Sequence, residues 1–252
     1  MLEEIITAIQ SYYRAHQFIV KNKLWKWIWI PGIIYAVLFV VGLYFFWHSA
    51  ASVSDFLLNG SGVKEWLKRE NSPWLNFIII FGQLSLQLIL LLFYFSWFKY
   101  LYLIIGSPLF AYLSEKTESI ILEMEYPFSL KKLFQDSWRG IQIAIRNSLW
   151  QTVYTISIIL LTFIPLVGWI TPLLALFVEC YFLGFSMLDY TNERKNLSPT
   201  QSIFFINRHK GLAIGNGLVF YLIHWIPIIG WVLAPGYAII AATLSLQNRP
   251  KK

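Results

Sequence analysis

The feature that most constrains this chain is an uncharged apolar run of 21 residues, Trp27 to Trp47, bounded by aromatic side chains. As a helix rising ~1.5 Å per residue, such a run reaches across the ~30 Å hydrocarbon core of a bilayer. A second run, Trp74 to Ile105, is broken only by Lys99 and is longer than one crossing needs. It must therefore tilt or project out of the bilayer past Lys99. Lipid offers no partner to a free backbone N–H or C=O, so segments of this kind predict an all-α integral membrane protein. Composition agrees. Only 13% of the 252 residues are charged, against ~25% in a soluble domain, too few to cover the surface of a globule this size. The 12 Trp and 14 Tyr suit the membrane–water interface, where amphipathic rings collect.

The whole chain, 1–252, reads as a single membrane domain. It opens Met1-Leu2-Glu3-Glu4, acidic where a secretory signal is basic, so no signal peptide is expected. The single cysteine, Cys180, excludes an internal disulfide framework and a Cys-rich metal site, and is expected to be a small buried hydrophobe. The segment 48–73 between the two runs holds Lys64, Lys68 and Arg69 against Asp55, Glu65 and Glu70, so the entire net charge of +7 lies outside it. By the positive-inside rule that loop is extracytoplasmic and both termini are cytoplasmic. The basic excess is then a topology signal, and no nucleic-acid partner is expected.

Residues 106–150 read as helices at the membrane surface. Ser107-Pro108 looks like an N-cap followed by proline at the first helical position. Glu125-Tyr126-Pro127 breaks that helix, and Ser129 can cap the next. There Leu130, Leu133, Phe134, Trp138, Ile141 and Ile145 recur at three- and four-residue spacing, with Lys131, Lys132, Asp136, Arg139 and Gln142 opposite. This amphipathic helix is expected to lie on the bilayer or pack on its neighbours.

The C-terminal half contains an internal repeat. Phe163-Ile164-Pro165-Leu166-Val167-Gly168-Trp169 recurs 62 residues later as Trp225-Ile226-Pro227-Ile228-Ile229-Gly230-Trp231, and a further proline follows each copy, Pro172 and Pro235. Proline and glycine interrupt helices, so each copy reads as a turn: one joins 147–163 to 169–188, the other 212–226 to 230–246. Neither turn carries a charged side chain, 213–226 is too short to cross a ~30 Å core, and the flanking segments are basic. The expectation is two re-entrant hairpins that enter and leave on the cytoplasmic face, their turn backbones buried in protein or facing a water-filled cavity. Four short spans joined by apolar loops is the alternative. Broken helices at matching positions of two repeats point to a transport site. Between the hairpins, Ser198-Pro199-Thr200-Gln201 reads as a capping box and Gly211 as the stop of the short helix it opens.

At these residues the sequence resembles the CysZ sulfate-permease family, which shares a fold with the eukaryotic etoposide-induced membrane proteins. The resemblance is carried by Lys23-Leu24-Trp25 leading to Ile30-Pro31, and by Ser107-Pro108 followed by Leu113, Glu115 and Glu118. It continues through Ile164-Pro165-x-x-Gly168 ahead of Leu188-Asp189-Tyr190. Arg208-His209-Lys210 then leads through Gly215-Asn216-Gly217 to Ile226-Pro227 and Ala241-Ala242-Thr243. It implies two long transmembrane helices plus two membrane-embedded hairpins, and sulfate uptake across a bacterial inner membrane for cysteine synthesis. It also implies a homo-oligomer. Sulfate binding by this resemblance falls at Asn22, Lys23, Leu24, Trp25 and Lys26. A helix N-terminus with unpaired N–H groups suits an anion there, and the lysines can equally anchor the helix to anionic lipid. The sequence departs from the family in having lysines where an arginine pair is expected, and in Tyr35 where the CysZ branch has Asn.

Other polar residues stand out against the apolar background. Glu179, in the stretch 169–188, is costly in lipid and is a pathway candidate by default, with Arg146 one possible partner. His224, just before the second turn, could relay protons or bridge helices. Asp189 is expected to end its helix and pair with Arg194 or Lys195. Gly211-x-x-x-Gly215-x-Gly217 has no preceding strand and reads as close helix packing, not a nucleotide loop. No Ser/His/Asp set, metal-spaced histidines or paired carboxylates suggest an enzyme, and no cofactor or metal is expected. Two function classes follow: an anion permease, or a non-transporting membrane scaffold of the same fold.

Overall fold

The computed structural model describes residues 1–60, 73–124, 129–162 and 170–247. Among these every regular element is helical. There are eight helices: α1 (Leu2–Lys21), α2 (Trp25–Gly60), α3 (Pro73–Leu122), α4 (Leu130–Thr162), α5 (Thr171–Arg194), α6 (Pro199–Arg208), α7 (Lys210–His224) and α8 (Ile229–Gln247). Among the described residues three segments are long and apolar enough to cross a membrane: Trp25–Ser49, Thr171–Arg194 and Ile229–Gln247. The described residues cluster into two compact units, one of 1–36 with 100–252 and one of 37–99.

In the larger unit α7 is central, packed on α1, α5 and α8. Its glycines make this possible. A Cβ on Gly217 would fall 2.0 Å from the Cys180 carbonyl oxygen of α5, and one on Gly184 of α5 would fall 1.9 Å from the Ala213 carbonyl oxygen of α7. The two backbones therefore touch, as helices do in lipid, where small residues let dispersion replace the hydrophobic drive. The glycine series read from the sequence is this packing surface, with Gly215 against Ile5 and Ala8 of α1. Cys180 is buried in the same contact, as expected. The smaller unit is an aromatic clasp between α2 and α3: the Tyr94 hydroxyl donates to the Phe39 carbonyl at 3.0 Å, and Phe39 meets the Phe98 ring edge-on at 5.2 Å.

Several local expectations hold. Ser198 accepts from the Gln201 N–H at 3.3 Å while Gln201 Oε1 accepts from the Ser198 N–H at 2.8 Å, the full capping box. Ser129 accepts from the Lys132 N–H at the start of α4. Others are corrected. Ser107-Pro108 opens no helix. Pro108 lies inside α3, which loses only the hydrogen bond proline cannot donate, and the Ser107 hydroxyl donates instead to the Ser137 carbonyl of α4 at 2.9 Å. Gly211 does not stop α6, which ends at Arg208. Gly211 lies in the first turn of α7, where its N–H donates to Glu4 Oε2 at 3.2 Å.

α4 is built inside out. Its apolar residues Leu130, Phe134, Trp138 and Ile145 are exposed along with Lys131 and Gln142, while Asp136, Ser137 and Asn147 are buried beside Ile143 and Ala144. In a membrane protein the inner face of a helix can hold paired polar groups while apolar side chains stand on its outer face, and α4 shows both, at Asp136 and Asn147 and at Phe134 and Trp138.

Candidate functional site

The five residues expected to meet sulfate form the corner between α1 and α2. Lys23 has φ 55°. The Leu24 N–H donates to the Ile19 carbonyl at 3.0 Å and the Lys23 N–H to the Val20 carbonyl at 3.4 Å, the paired bonds of a Schellman cap. The Asn22 N–H and its side-chain amide both donate to the Phe18 carbonyl. Buried Leu24 plugs the corner next to buried Ile19. The amides of Asn22, Lys23 and Leu24 are thus occupied in closing α1. What the corner offers an anion is the first-turn amides of α2, at Trp25 and Lys26, and the exposed ammonium groups of Lys23 and Lys26.

Glu179 sits at the centre of a polar cluster inside apolar surroundings. Gln151 Nε2 of α4 donates to its Oε1, and the Tyr221 hydroxyl of α7 donates to its Oε2 at 2.9 Å. The Tyr100 hydroxyl of α3 donates to Gln151 Oε1 and extends the chain to a fourth helix. Arg146 is not the ion-pair partner of Glu179. It lies more than a turn from Gln151 along α4, its Nη1 donates to Asn147 Oδ1 at 3.0 Å, and its guanidinium covers the Phe185 ring at 5.5 Å. His224 Nε2 is hydrogen-bonded to the Tyr35 hydroxyl of α2 at 2.6 Å, with Phe220 stacked on the imidazole. Tyr35 and His224 were separate oddities of the sequence. They are one contact across 189 residues.

The second turn, Trp225 to Ile228, is described; Pro165 and Gly168 of the first lie outside the described residues. The left-handed residue of the second turn is Ile228, φ 65°. Gly230 instead allows close approach, since a Cβ there would fall 1.9 Å from the Ile223 carbonyl oxygen. The Pro227 carbonyl accepts from the Ile229 N–H at 2.7 Å. Trp225 is 84% exposed and Ile226, Ile228 and Ile229 are also exposed, an apolar tip at the end of the α7–α8 hairpin.

A buried ionic cluster, which sequence reasoning missed, joins α3, α4 and α5. Asp189 does not end its helix: it lies within α5, and its carboxylate accepts from Arg139 Nη2 at 3.0 Å, Arg139 Nε at 3.3 Å and the Ser202 hydroxyl at 2.5 Å. Arg194, its side chain 2% exposed, pairs with Asp136 of α4 at 2.5 Å and Glu115 of α3 at 3.4 Å. Glu118 lies near Arg194, Lys195 and Lys132; burial pushes its carboxyl pKa up against the pull of those three cations. Its Oε2 is buried with no hydrogen-bond partner among the described residues. Among the described residues no cluster of three His, Cys, Asp or Glu side chains is arranged to hold a metal ion.

A family model described as Sulfate transporter CysZ/Etoposide-induced protein 2.4 matches residues 11–235. The chain belongs to this family. The match takes in the α1–α2 corner, Glu179, the ionic cluster and both Ile-Pro motifs of this CysZ/etoposide-induced family member. A protein named Sulfate transporter CysZ from Pseudomonas fluorescens (strain Pf0-1) is 24% identical over 242 residues, 95% of this chain and 92% of the relative. Another of that name, from Pseudomonas aeruginosa (strain LESB58), is 28% identical over 175 residues, 68% of this chain and 70% of the relative.

Proposed function

We propose that this chain is a transporter, a sulfate permease of the CysZ type in a bacterial inner membrane, supplying sulfate for cysteine biosynthesis. The observation that carries the reading is the extent of the likeness: a protein named as a sulfate transporter matches 95% of the chain. We read residues 1–252 as a single membrane domain, since α2 and α3 each contribute residues to both compact units. Both termini are cytoplasmic, α2 and α3 cross the bilayer, and the two C-terminal hairpins re-enter from the cytoplasmic side. The 15 residues of α7, about 22 Å long, fall short of a ~30 Å core, and the exposed apolar tip at Trp225 to Ile229 suits lipid. The protein works as a homo-oligomer.

Sulfate meets the α1–α2 corner of Asn22, Lys23, Leu24, Trp25 and Lys26, chiefly through the two free first-turn amides and the ammonium groups of Lys23 and Lys26. Glu179, Arg146 and His224 remain the candidates for polar groups along the path. The test is sulfate flux into proteoliposomes of the pure protein: saturable uptake is expected, and no uptake above empty vesicles refutes the permease reading. Lys23→Ala/Lys26→Ala is expected to lower uptake about tenfold; unchanged uptake rejects this binding corner alone. A second reading, a non-transporting scaffold, is favoured by one observation: both carboxylate oxygens of Glu179 are already engaged within the protein. It predicts no flux.

A further inference from the structure

A groove of about 490 Å³ opens beside the first turn of α2, lined by Trp27, by Pro108, Leu109, Tyr112, Glu115, Lys116 and Ser119 of α3, and by Leu133 of α4. Its volume lies in the ~300–1,000 Å³ range of small-molecule sites. The walls are mostly apolar, with two charged side chains, Lys116 and Glu115, among them. Lys116 places its Nζ 5.5 Å from the centroid of the Trp27 ring, and Trp27 packs on Tyr112 at 4.6 Å. Lys116 makes no ion pair among the described residues. Glu115, its neighbour, is already held by Arg194 at 3.4 Å and Lys132 at 3.6 Å.

The groove lies at a defined depth. The apolar segment Trp25–Ser49 begins two residues before Trp27, so Trp27 and Tyr112 occupy the interfacial level where aromatic rings collect and phospholipid phosphates lie. An unpaired ammonium above an apolar trough at that level matches a phosphate head joined to an acyl tail. Basic pockets between membrane helices recognise anionic head groups in this way. Exposed Lys23 and Lys26, on the corner that leads into α2, add positive potential nearby.

We propose that this groove docks one anionic phospholipid, its phosphate on Lys116 and its acyl chain along Pro108, Leu109, Tyr112 and Leu133. The site is independent of the permease reading, because binding can be measured without transport. The experiment is native mass spectrometry of the full chain in non-ionic detergent, titrated with dioctanoyl-phosphatidylglycerol, dioctanoyl-phosphatidylcholine or glycerol 3-phosphate. One phosphatidylglycerol per chain is expected, with phosphatidylcholine and glycerol 3-phosphate each about tenfold weaker. Lys116→Gln should weaken phosphatidylglycerol about tenfold, and Lys116→Arg should stay within about threefold of the parent, with thermal midpoints confirming that both variants fold. Equal binding of the two lipids, or an unchanged Lys116→Gln, overturns the proposal. Glycerol 3-phosphate binding as tightly as the lipid overturns it too, leaving a small-anion site in place of a lipid one.

Discussion

Replacing Asp189 by alanine tests whether the ionic cluster holds α4 to α5. Asp189 is 2% exposed and receives three hydrogen bonds, two from Arg139 and one from Ser202. Alanine removes both carboxylate oxygens and strands the guanidinium, whose side chain is only 12% exposed. It also takes from the buried Ser202 hydroxyl the group it donates to, leaving it the bond it accepts from the Asn192 amide at 3.0 Å. Stranding a buried charge costs about 3–5 kcal/mol, and a buried hydroxyl that keeps one of its two hydrogen bonds adds about 1 kcal/mol. Arg139 keeps its bond to the Leu197 carbonyl, so the lower part of the combined range, roughly 4 kcal/mol, is expected. Denaturant unfolding in mixed micelles, followed by circular dichroism, reads the loss directly. The decisive variant is Asp189→Ala/Arg139→Met, which removes both charges and leaves an apolar side chain between the helices. It should recover at least ~2 kcal/mol, because an uncompensated charge is worse than none. If Asp189→Ala costs less than ~1 kcal/mol, or the double variant shows the simple sum of the single changes, the pair is not the buried lock described here.

Three further outcomes follow from the same geometry. Gly217→Val should push α5 off α7, since even a Cβ would lie 2.0 Å from the Cys180 carbonyl oxygen; a loss of about 1–3 kcal/mol or more is expected, read as a lowered thermal midpoint. Glu118 has a raised folded-state pKa, so the folded protein binds its proton more tightly than the unfolded chain and its contribution to stability falls as pH rises from the unfolded value upward. Glu118→Gln should flatten that part of the pH–stability profile and be at least as stable as the parent at pH 7; an identical pH slope in both proteins rejects the assignment. In a Cys180→Ser background, Ile228→Cys should resist a membrane-impermeant maleimide added to the extracytoplasmic side of vesicles. Rapid labelling from that side means the α7–α8 turn crosses the bilayer.

Hydropathy and the capping box at Ser198 are legible in the sequence because they are local, whereas Ser107 and Gly211, which have the residue types of caps, are not caps. The two long apolar runs fall within α2 and α3, the repeat marks the turn at Pro227, and Ser198 to Gln201 forms its box. Side-chain partners were not legible. Periodicity says which face of a helix a residue occupies, and nothing about what lies opposite, so Glu179 was visible but Gln151 and Tyr221 were not. The Arg139–Asp189 pair spans 50 residues with no spacing to betray it. Periodicity in α4 marks an apolar stripe without choosing its direction, since a helix against lipid and one against a protein core have the same period. Ser107-Pro108 carries the chemistry of a helix start, yet α3 absorbs the proline, because one lost hydrogen bond is small beside the packing of a 50-residue helix.

The inverted α4 sets how the chain tolerates change. Leu130, Phe134, Trp138 and Ile145 are exposed and press on little of their own chain, so the fold constrains their shapes weakly. Asp136, Arg139 and Asn147 face fixed partners whose spacing admits few alternatives. A water-soluble redesign of this helix would therefore rewrite its greasy residues and leave its charged ones untouched, the reverse of ordinary surface engineering.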